Sequence, residues 1–164
     1  MVAQRGGGAG RRRRFGRRQG HDLALLRIYG ARGLKPITLT SAAAKTVLDL
    51  TGITDPQNQG GGAAVSSVKA SVAQLDGSND VALTPAPAIG FSGSAALDGD
   101  GKFAGVALLK PVQMAGPANG APAAQAVLVT SDTVRNFLKA NGITAAGGSS
   151  DAKSSVVRVI CVRK

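Results

Sequence analysis

The sequence predicts an all-β domain with a single helix near its C-terminal end. Short apolar stretches rich in Val, Leu, Ile and Ala recur along the chain, and Gly, Pro, Asn and Asp separate them, which is typical of strands and turns. Only the segment from Thr133 to Ala140 has helical spacing, with Val134, Phe137 and Leu138 on one face. At 164 residues the chain is long enough to bury a core of its own.

The predicted strands fill most of the chain after residue 21. The segment Leu34–Leu39 contains Pro36 and predicts a turn into a short edge strand. The helix is expected to begin with Asp132 as its N-cap and to stop at Asn141-Gly142. The strands expected, in chain order, are Asp22–Ile28, Val47–Ile53, Val65–Leu75, Val81–Thr84, Ser94–Leu97, Lys102–Lys110, Ala124–Thr130 and Val156–Val162.

Residues 1–20 differ in composition from the rest and divide the chain into a tail and a domain at 21–164. Seven of the 20 basic residues fall in the first 18 positions, among glycines and without apolar periodicity, so we expect disorder there. Clustered arginines suit a nucleic-acid-binding arm. An export signal is the second interpretation, but no apolar stretch follows the arginines. The third is that the tail replaces part of a truncated domain.

Few residues are available for metal or thiol chemistry. Cys161 is the only cysteine, which excludes an intrachain disulfide and CxxC-type metal sites. The Asp-Gly-Asp-Gly run at 98–101 invites a calcium interpretation, but it lacks the further ligands of a calcium loop, so a plain turn is expected. No apolar run is long enough for a transmembrane helix. We expect no cofactor and no metal.

A serine between two glycines is the strongest candidate for chemistry. It lies in the run GFSGS at residues 90–94, just ahead of an apolar stretch. Flanking glycines permit a tight turn and leave room for a substrate carbonyl. The amides of Gly90 and Ser92 would then point at a developing oxyanion. A plain β-turn is the competing interpretation, because glycine and serine are common in this chain.

A second segment, ahead of Ser92, begins with Asp22 and continues as the apolar run LALLRI. Together the two segments resemble the trypsin-like (chymotrypsin-fold) serine peptidases, especially the bacterial Deg or high-temperature-requirement kind. In that family the triad Asp heads a strand D-[IL]-A-[LV]-L, and the nucleophile lies in G-[ND]-S-G-[GS]. The hairpin at 98–106 and the short helix at 131–138 match the family in the same order. The resemblance covers roughly residues 21–144.

The resemblance implies a fold in which one of the family's two barrels is largely missing. The expected structure is a six-stranded antiparallel Greek-key barrel, the family's second barrel. Asp22–Leu39 would be a remnant of the first barrel, and one helix would close the domain near the C-terminus.

The resemblance also implies the site residues. Ser92 is the expected nucleophile, Asp22 the orienting acid, and the amides of Gly90 and Ser92 the oxyanion hole. Phe91 departs from the family, which has Asn or Asp before the nucleophile. The strand expected to line the substrate groove carries Leu108, Leu109 and Lys110; a simple core strand is the alternative interpretation.

His21 is the only histidine, and it constrains the mechanism. It precedes Asp22 directly, and neighbouring side chains of a strand point to opposite faces, so His21 is poorly placed between Asp22 and Ser92. The family's histidine lies well upstream of its Asp. We therefore expect a serine-type peptidase domain that is truncated and inactive, lacking the catalytic His.

Two other functions remain open at this stage. One is a non-catalytic barrel that binds peptides or cell-envelope material in the same groove. The other is an Arg-rich nucleic-acid binder, which we disfavour because the clustered arginines lie only in the tail, while residues 21–164 carry 13 basic and 9 acidic residues. The expected partner is a peptide or protein substrate, and the family implies a periplasmic or secreted location. The sequence does not specify an oligomeric state.

Overall fold

The computed structural model describes residues 2–5, 22–30, 32–41, 46–53, 65–74, 81–111, 124–145, 147–151, 154–157 and 159. Its regular elements are the strands β1 (Val2–Arg5), β2 (Leu25–Ile28), β3 (Val47–Ile53), β4 (Val65–Gln74), β5 (Val81–Thr84), β6 (Ala95–Leu97), β7 (Phe103–Pro111) and β8 (Ala124–Thr130), and the helix α1 (Ser131–Ala140).

Strands β3 to β8 form a closed antiparallel barrel. Their order around it is β3-β4-β5-β8-β7-β6, and β6 pairs with β3 to close the ring. Leu50 shows both pairings of β3, because it lies opposite Val68 of β4 and Ala96 of β6. The all-β fold with a six-stranded barrel and one helix is therefore confirmed.

The barrel strands bury alternate residues on two faces, as the twofold period of a strand requires. On β3, Leu48 and Leu50 are fully buried, whereas the side chain of Val47 is half exposed to solvent. We call the inward set the barrel core; it comprises Leu48, Leu50, Ala70, Val72, Leu83, Phe91, Ala96, Ala104, Ala107, Ala126 and Leu128. The second set, the outer cluster, comprises Leu23, Leu25, Ala95, Leu97, Phe103, Val106, Val129, Val134 and Leu138.

The described residues 2–5, 22–30 and 32–41 form what we call the N-terminal segment. β1 and β2 pair in parallel, with Val2 opposite Leu25. β2 begins three residues later than the strand predicted from Asp22, because Asp22 has φ of 46°, in the left-handed region that an extended strand does not use. The predicted edge strand at 34–39 is reduced to isolated bridges at Ile37 and Leu39.

Residues 35–38 are attached to residues 148–154 along a line that we call the seam, and Thr38 and Thr40 are bonded to Phe103 of β7. Thr38 N–H donates to the Ser149 carbonyl at 3.0 Å, and Ser149 N–H donates to the Pro36 carbonyl at 2.8 Å. Lys35 N–H reaches the Ser154 carbonyl at 2.9 Å. The N-terminal segment is thus fixed to the barrel partly through the chain's last described residues.

Helix α1 begins at Ser131, and Thr130 is its N-cap. Thr130 has extended dihedrals of −62° and 155°, and its side chain accepts from Thr133 N–H. The predicted N-cap, Asp132, is wrong: it lies inside the first turn and pairs with Arg135. The predicted stop is confirmed, since Asn141 caps the helix and Gly142 follows with φ of 74°.

Several expectations concern residues that the structure describes only in part. Within the tail, residues 2–5 form β1 and residues 6–20 lie outside the described residues, where disorder stays a prediction. Of the final strand predicted at Val156–Val162, residues 156, 157 and 159 are described, and none of them is in a strand. Among the described helices, none has the length and apolar character needed to cross a membrane.

Candidate active site

Ser92 lies at the surface, on a tight loop that leads into β6. We call residues 88–94 the Ser92 loop. A 3-10 turn over Ile89–Phe91 comes first, Ser92 and Gly93 follow as a turn, and β6 starts at Ala95. Gly93 has φ of 85°, which a residue with a Cβ adopts only at a cost, so the glycine after Ser92 is required by the backbone.

Backbone hydrogen bonds fix this loop to the barrel. Phe91 N–H donates to the Ala88 carbonyl at 2.9 Å, and Ser94 N–H donates to the Phe91 carbonyl at 3.0 Å. Across to β7, Gly93 N–H donates to the Ala107 carbonyl at 2.7 Å, and Ala107 N–H returns a bond to the Ser94 carbonyl at 3.0 Å. The residues on both sides of Ser92 are therefore held by the barrel itself.

The two amides predicted for the oxyanion hole belong to this same loop. Gly90 lies in the middle of the 3-10 turn, and Ser92 follows its last residue. In a 3-10 turn each N–H points back to the carbonyl three residues earlier. The convergence of the Gly90 and Ser92 amides on one point stays a prediction.

The predicted groove strand runs directly past Ser92. Leu109 N–H donates to Ser92 Oγ over a long 3.4 Å. Leu108 is half-buried and packs against the outer cluster, whereas Leu109 is half-buried and packs against the barrel core. Lys110 is exposed. The structure thus brings Ser92 and β7 together, with the first two groove residues on opposite faces of the strand.

Asp22 reaches the same domain from the N-terminal segment. Its side chain is exposed, while the next apolar residues, Leu23 and Leu25, are buried in the outer cluster together with Val106 of β7. Asp22 therefore flanks a cluster that β7 shares. The lone histidine, His21, lies outside the described residues, so its predicted orientation stays a prediction.

Two residues near Ser92 were not singled out from the sequence. Ser94 is 6 % exposed, and its Oγ finds no hydrogen-bond partner in the part of the chain that the structure describes. Gly52 of β3 lies against Phe91 and Ser94. A lone glycine inside an apolar strand indicates a close approach of another backbone, and this signal would have found Gly52.

The side chain of Asp98 holds the backbone of the acidic turn at 98–101. Asp98 Oδ1 accepts from Asp100 N–H at 2.9 Å and from Lys102 N–H at 2.8 Å. Lys102 Nζ pairs with Asp100 at 3.2 Å. Within the described ranges, no three His, Cys, Asp or Glu side chains come together as a metal site would need.

Comparison with known proteins adds one finding to this geometry. Residues 2–106 match the family model described as the trypsin-like peptidase domain. The match covers more than half of the 164 residues and includes both Asp22 and Ser92. Neither the curated proteins nor the solved structures gave a match to the chain.

Proposed function

Because the chain belongs to the trypsin-like peptidase domain family, we propose that Ser92 is a peptidase nucleophile that these 164 residues do not activate by themselves. The observation that carries the proposal is the placement of Ser92: it is exposed, while the loop around it is bonded to the barrel. Within the family we place the chain with the Deg or high-temperature-requirement kind, on its DLALL and GFSGS runs.

The proposed chemistry is acyl transfer to a serine. Ser92 Oγ would attack the scissile carbonyl while a base takes its proton, and the amides of Gly90 and Ser92 would stabilise the oxyanion that forms. Asp22 would orient the imidazole from its far side.

The missing part is the base. A serine hydroxyl is a weak nucleophile until a neighbouring group removes its proton. His21 is the only histidine in the sequence, and it is the direct neighbour of Asp22. Adjacent residues of an extended chain face opposite ways, so His21 is not expected to bridge Asp22 and Ser92. We therefore propose that this chain does not turn over peptides.

The same single histidine favours a second function. A barrel of this family without a base would still offer the outer face of β7 beside Ser92, where half-buried Leu108 and exposed Lys110 lie. Such a module would bind an extended peptide or cell-envelope material without cleaving it. Ser92→Ala would then leave binding unchanged.

An external base separates these functions. The purified chain is incubated with casein, and separately with a fluorophosphonate probe in the absence and presence of imidazole. We expect no casein hydrolysis and no labelling without imidazole, and slow labelling with it, because imidazole supplies the base that the chain lacks.

Two variants make the result specific. Labelling is expected to vanish in Ser92→Ala and to persist in Ser94→Ala, whose hydroxyl is buried two residues away. Casein hydrolysis without imidazole that Ser92→Ala abolishes would overturn the proposed inactivity. Labelling that persists in Ser92→Ala would overturn the nucleophile, and peptide binding with no labelling would favour the binding module.

A further inference from the structure

The geometry points to Phe91 as a positioning residue, which anchors the Ser92 loop in the barrel core against a notch left by Gly52. This apolar anchor would take the place of the polar contact that Asn or Asp makes before the nucleophile elsewhere in the family. Its meaning for catalysis rests on the proposed function of Ser92, whereas the anchor itself is a property of the fold.

Phe91 and Ser92 are neighbours in the chain with opposite surroundings. Phe91 is 0 % exposed and the largest of the fully buried side chains, and it belongs to the barrel core together with Leu48 and Leu50 of β3. Ser92 is exposed. Burial of a large apolar ring is strongly favourable, so the ring resists any movement that would carry Ser92 away from β7.

Gly52 leaves the space that the ring occupies. A Cβ placed on Gly52 would lie 2.8 Å from Phe91 Cδ1, 3.2 Å from Ser94 Cβ and 3.3 Å from Phe91 Cα. Gly52 shows no positive φ, so its backbone would accept a side chain. The requirement for glycine is therefore the closeness of the Ser92 loop, and β3 and the loop are matched in shape.

The backbone hydrogen bonds of Phe91 couple the position of its ring to the position of Ser92. Its N–H and its carbonyl are both bonded within the loop, to Ala88 and Ser94, and Gly93 is bonded to Ala107. A ring that is pushed out of the notch must therefore carry the backbone on both sides of Ser92 with it. A shift of about 1 Å at a reacting group can lower a rate about 100-fold.

The test is a cycle of three variants: Gly52→Ala, Phe91→Val and the double variant. The first readout is the backbone amide spectrum at Ser92, Gly93 and Ser94, and the second is the rate of imidazole-assisted labelling per folded molecule. Gly52→Ala is expected to move these amides more than any others outside β3 and β4 and to slow labelling about 10- to 100-fold. Valine has no δ carbon, so Phe91→Val added to Gly52→Ala removes the ring atom that clashes, Cδ1, and both readouts should return toward the parent.

Two matched controls separate positioning from stability. Gly99→Ala adds the same Cβ at a turn where nothing lies within 4 Å. Phe103→Val removes the same atoms from a ring that is 7 % exposed in the outer cluster. Neither should move the Ser92 amides. Movement in either control as large as in Gly52→Ala would overturn the anchor.

The outcomes also distinguish the two proposals. Amides that respond to the cycle while Ser92 is never labelled would support the anchor and reject the nucleophile. Labelling of Ser92 without any response of the amides to Gly52→Ala would support the nucleophile and reject the anchor. If Gly52→Ala does not fold, cooperative unfolding recovered in the double variant supports the anchor, and failure to recover it counts against the anchor.

Discussion

Within the described residues, every strand of the barrel pairs on two sides, whereas β2 pairs with β1 alone and residues 35–40 are held by the seam and by Phe103 of β7. The barrel fills its interior from its own strands and the Ser92 loop. The N-terminal segment instead buries Leu23 and Leu25 on the outer face of the barrel. The nucleophile candidate thus belongs to the self-contained region, and the acid candidate, Asp22, to the dependent one.

This difference bears on how a site split between two regions can be kept or lost. The Ser92 loop takes its hydrogen bonds from β7 and packs Phe91 in the barrel core, so its shape does not require the N-terminal segment. Asp22 instead precedes β2, and the N-terminal segment is bonded to the rest of the domain through the seam and through Phe103 of β7. A change in the N-terminal segment should therefore alter Asp22 while leaving the Ser92 loop intact.

The largest expected effect is the difference in stability loss between a substitution in the barrel core and one in the outer cluster. Leu50→Ala removes a fully buried side chain from the barrel core and should lower the free energy of unfolding by about 3 kcal/mol. Leu25→Ala should cost about 2 kcal/mol or less, because the N-terminal segment can detach locally before the barrel unfolds. Urea unfolding measures both. A loss for Leu25→Ala equal to that for Leu50→Ala would show that the two regions unfold as one.

The next effect tests the seam. A Cβ on Gly148 would overlap the Pro36 carbonyl oxygen, so Gly148→Ala must open the contact between residues 36 and 148. We expect a loss of about 1–2 kcal/mol, with faster hydrogen exchange at Lys35 and Thr38. Gly147→Ala is the matched control, since its Cβ meets nothing within 4 Å and should change stability by less than about 0.5 kcal/mol. Equal losses of stability in the two variants would show that the seam does not stabilise the fold.

The smallest expected effect tests whether α1 is stabilised mainly by its own N-cap or by its contact with the N-terminal segment. Thr130→Ala removes the N-cap and should lower stability by about 1 kcal/mol. Asp132→Ala removes the exposed contacts with Arg135 and with Ser41 of the N-terminal segment, and should cost about half as much or less. Thermal unfolding of both variants gives the order. A larger loss for Asp132→Ala would mean that the helix is held by the N-terminal segment more than by its own cap.

The sequence predicted the barrel better than it predicted the attachments to it. The bounds of β3, β5 and β8 agree with the predicted strands, because an apolar strand between turn residues carries its own local signal. The N-cap was misplaced because Thr130 and Asp132 are both good caps, and the extended backbone at Thr130 decides between them. The seam joins residues 110 positions apart through backbone and hydroxyl groups, which leave no pattern in the sequence.

The sequence likewise predicted only part of the candidate site. The GFSGS run placed Ser92 on a tight turn before an apolar strand, and the structure has it there, while its role as nucleophile stays a prediction. The role of Phe91 could not be inferred from its position before the serine. Its partner, Gly52, lies on a different strand, and only the closed barrel brings the two together.

Native-state hydrogen exchange tests most directly the claim that the barrel holds the Ser92 loop without help from the N-terminal segment. One experiment compares Gly93 and Ala107 N–H, which join the loop to β7, with Thr38 N–H, which lies in the seam. We predict that the Thr38 amide exchanges at least about tenfold faster than those of Gly93 and Ala107, through local opening. Gly148→Ala should increase this difference in rate without changing the exchange of Gly93 or Ala107. Exchange of Gly93 and Ala107 that accelerates together with Thr38 in Gly148→Ala would contradict it.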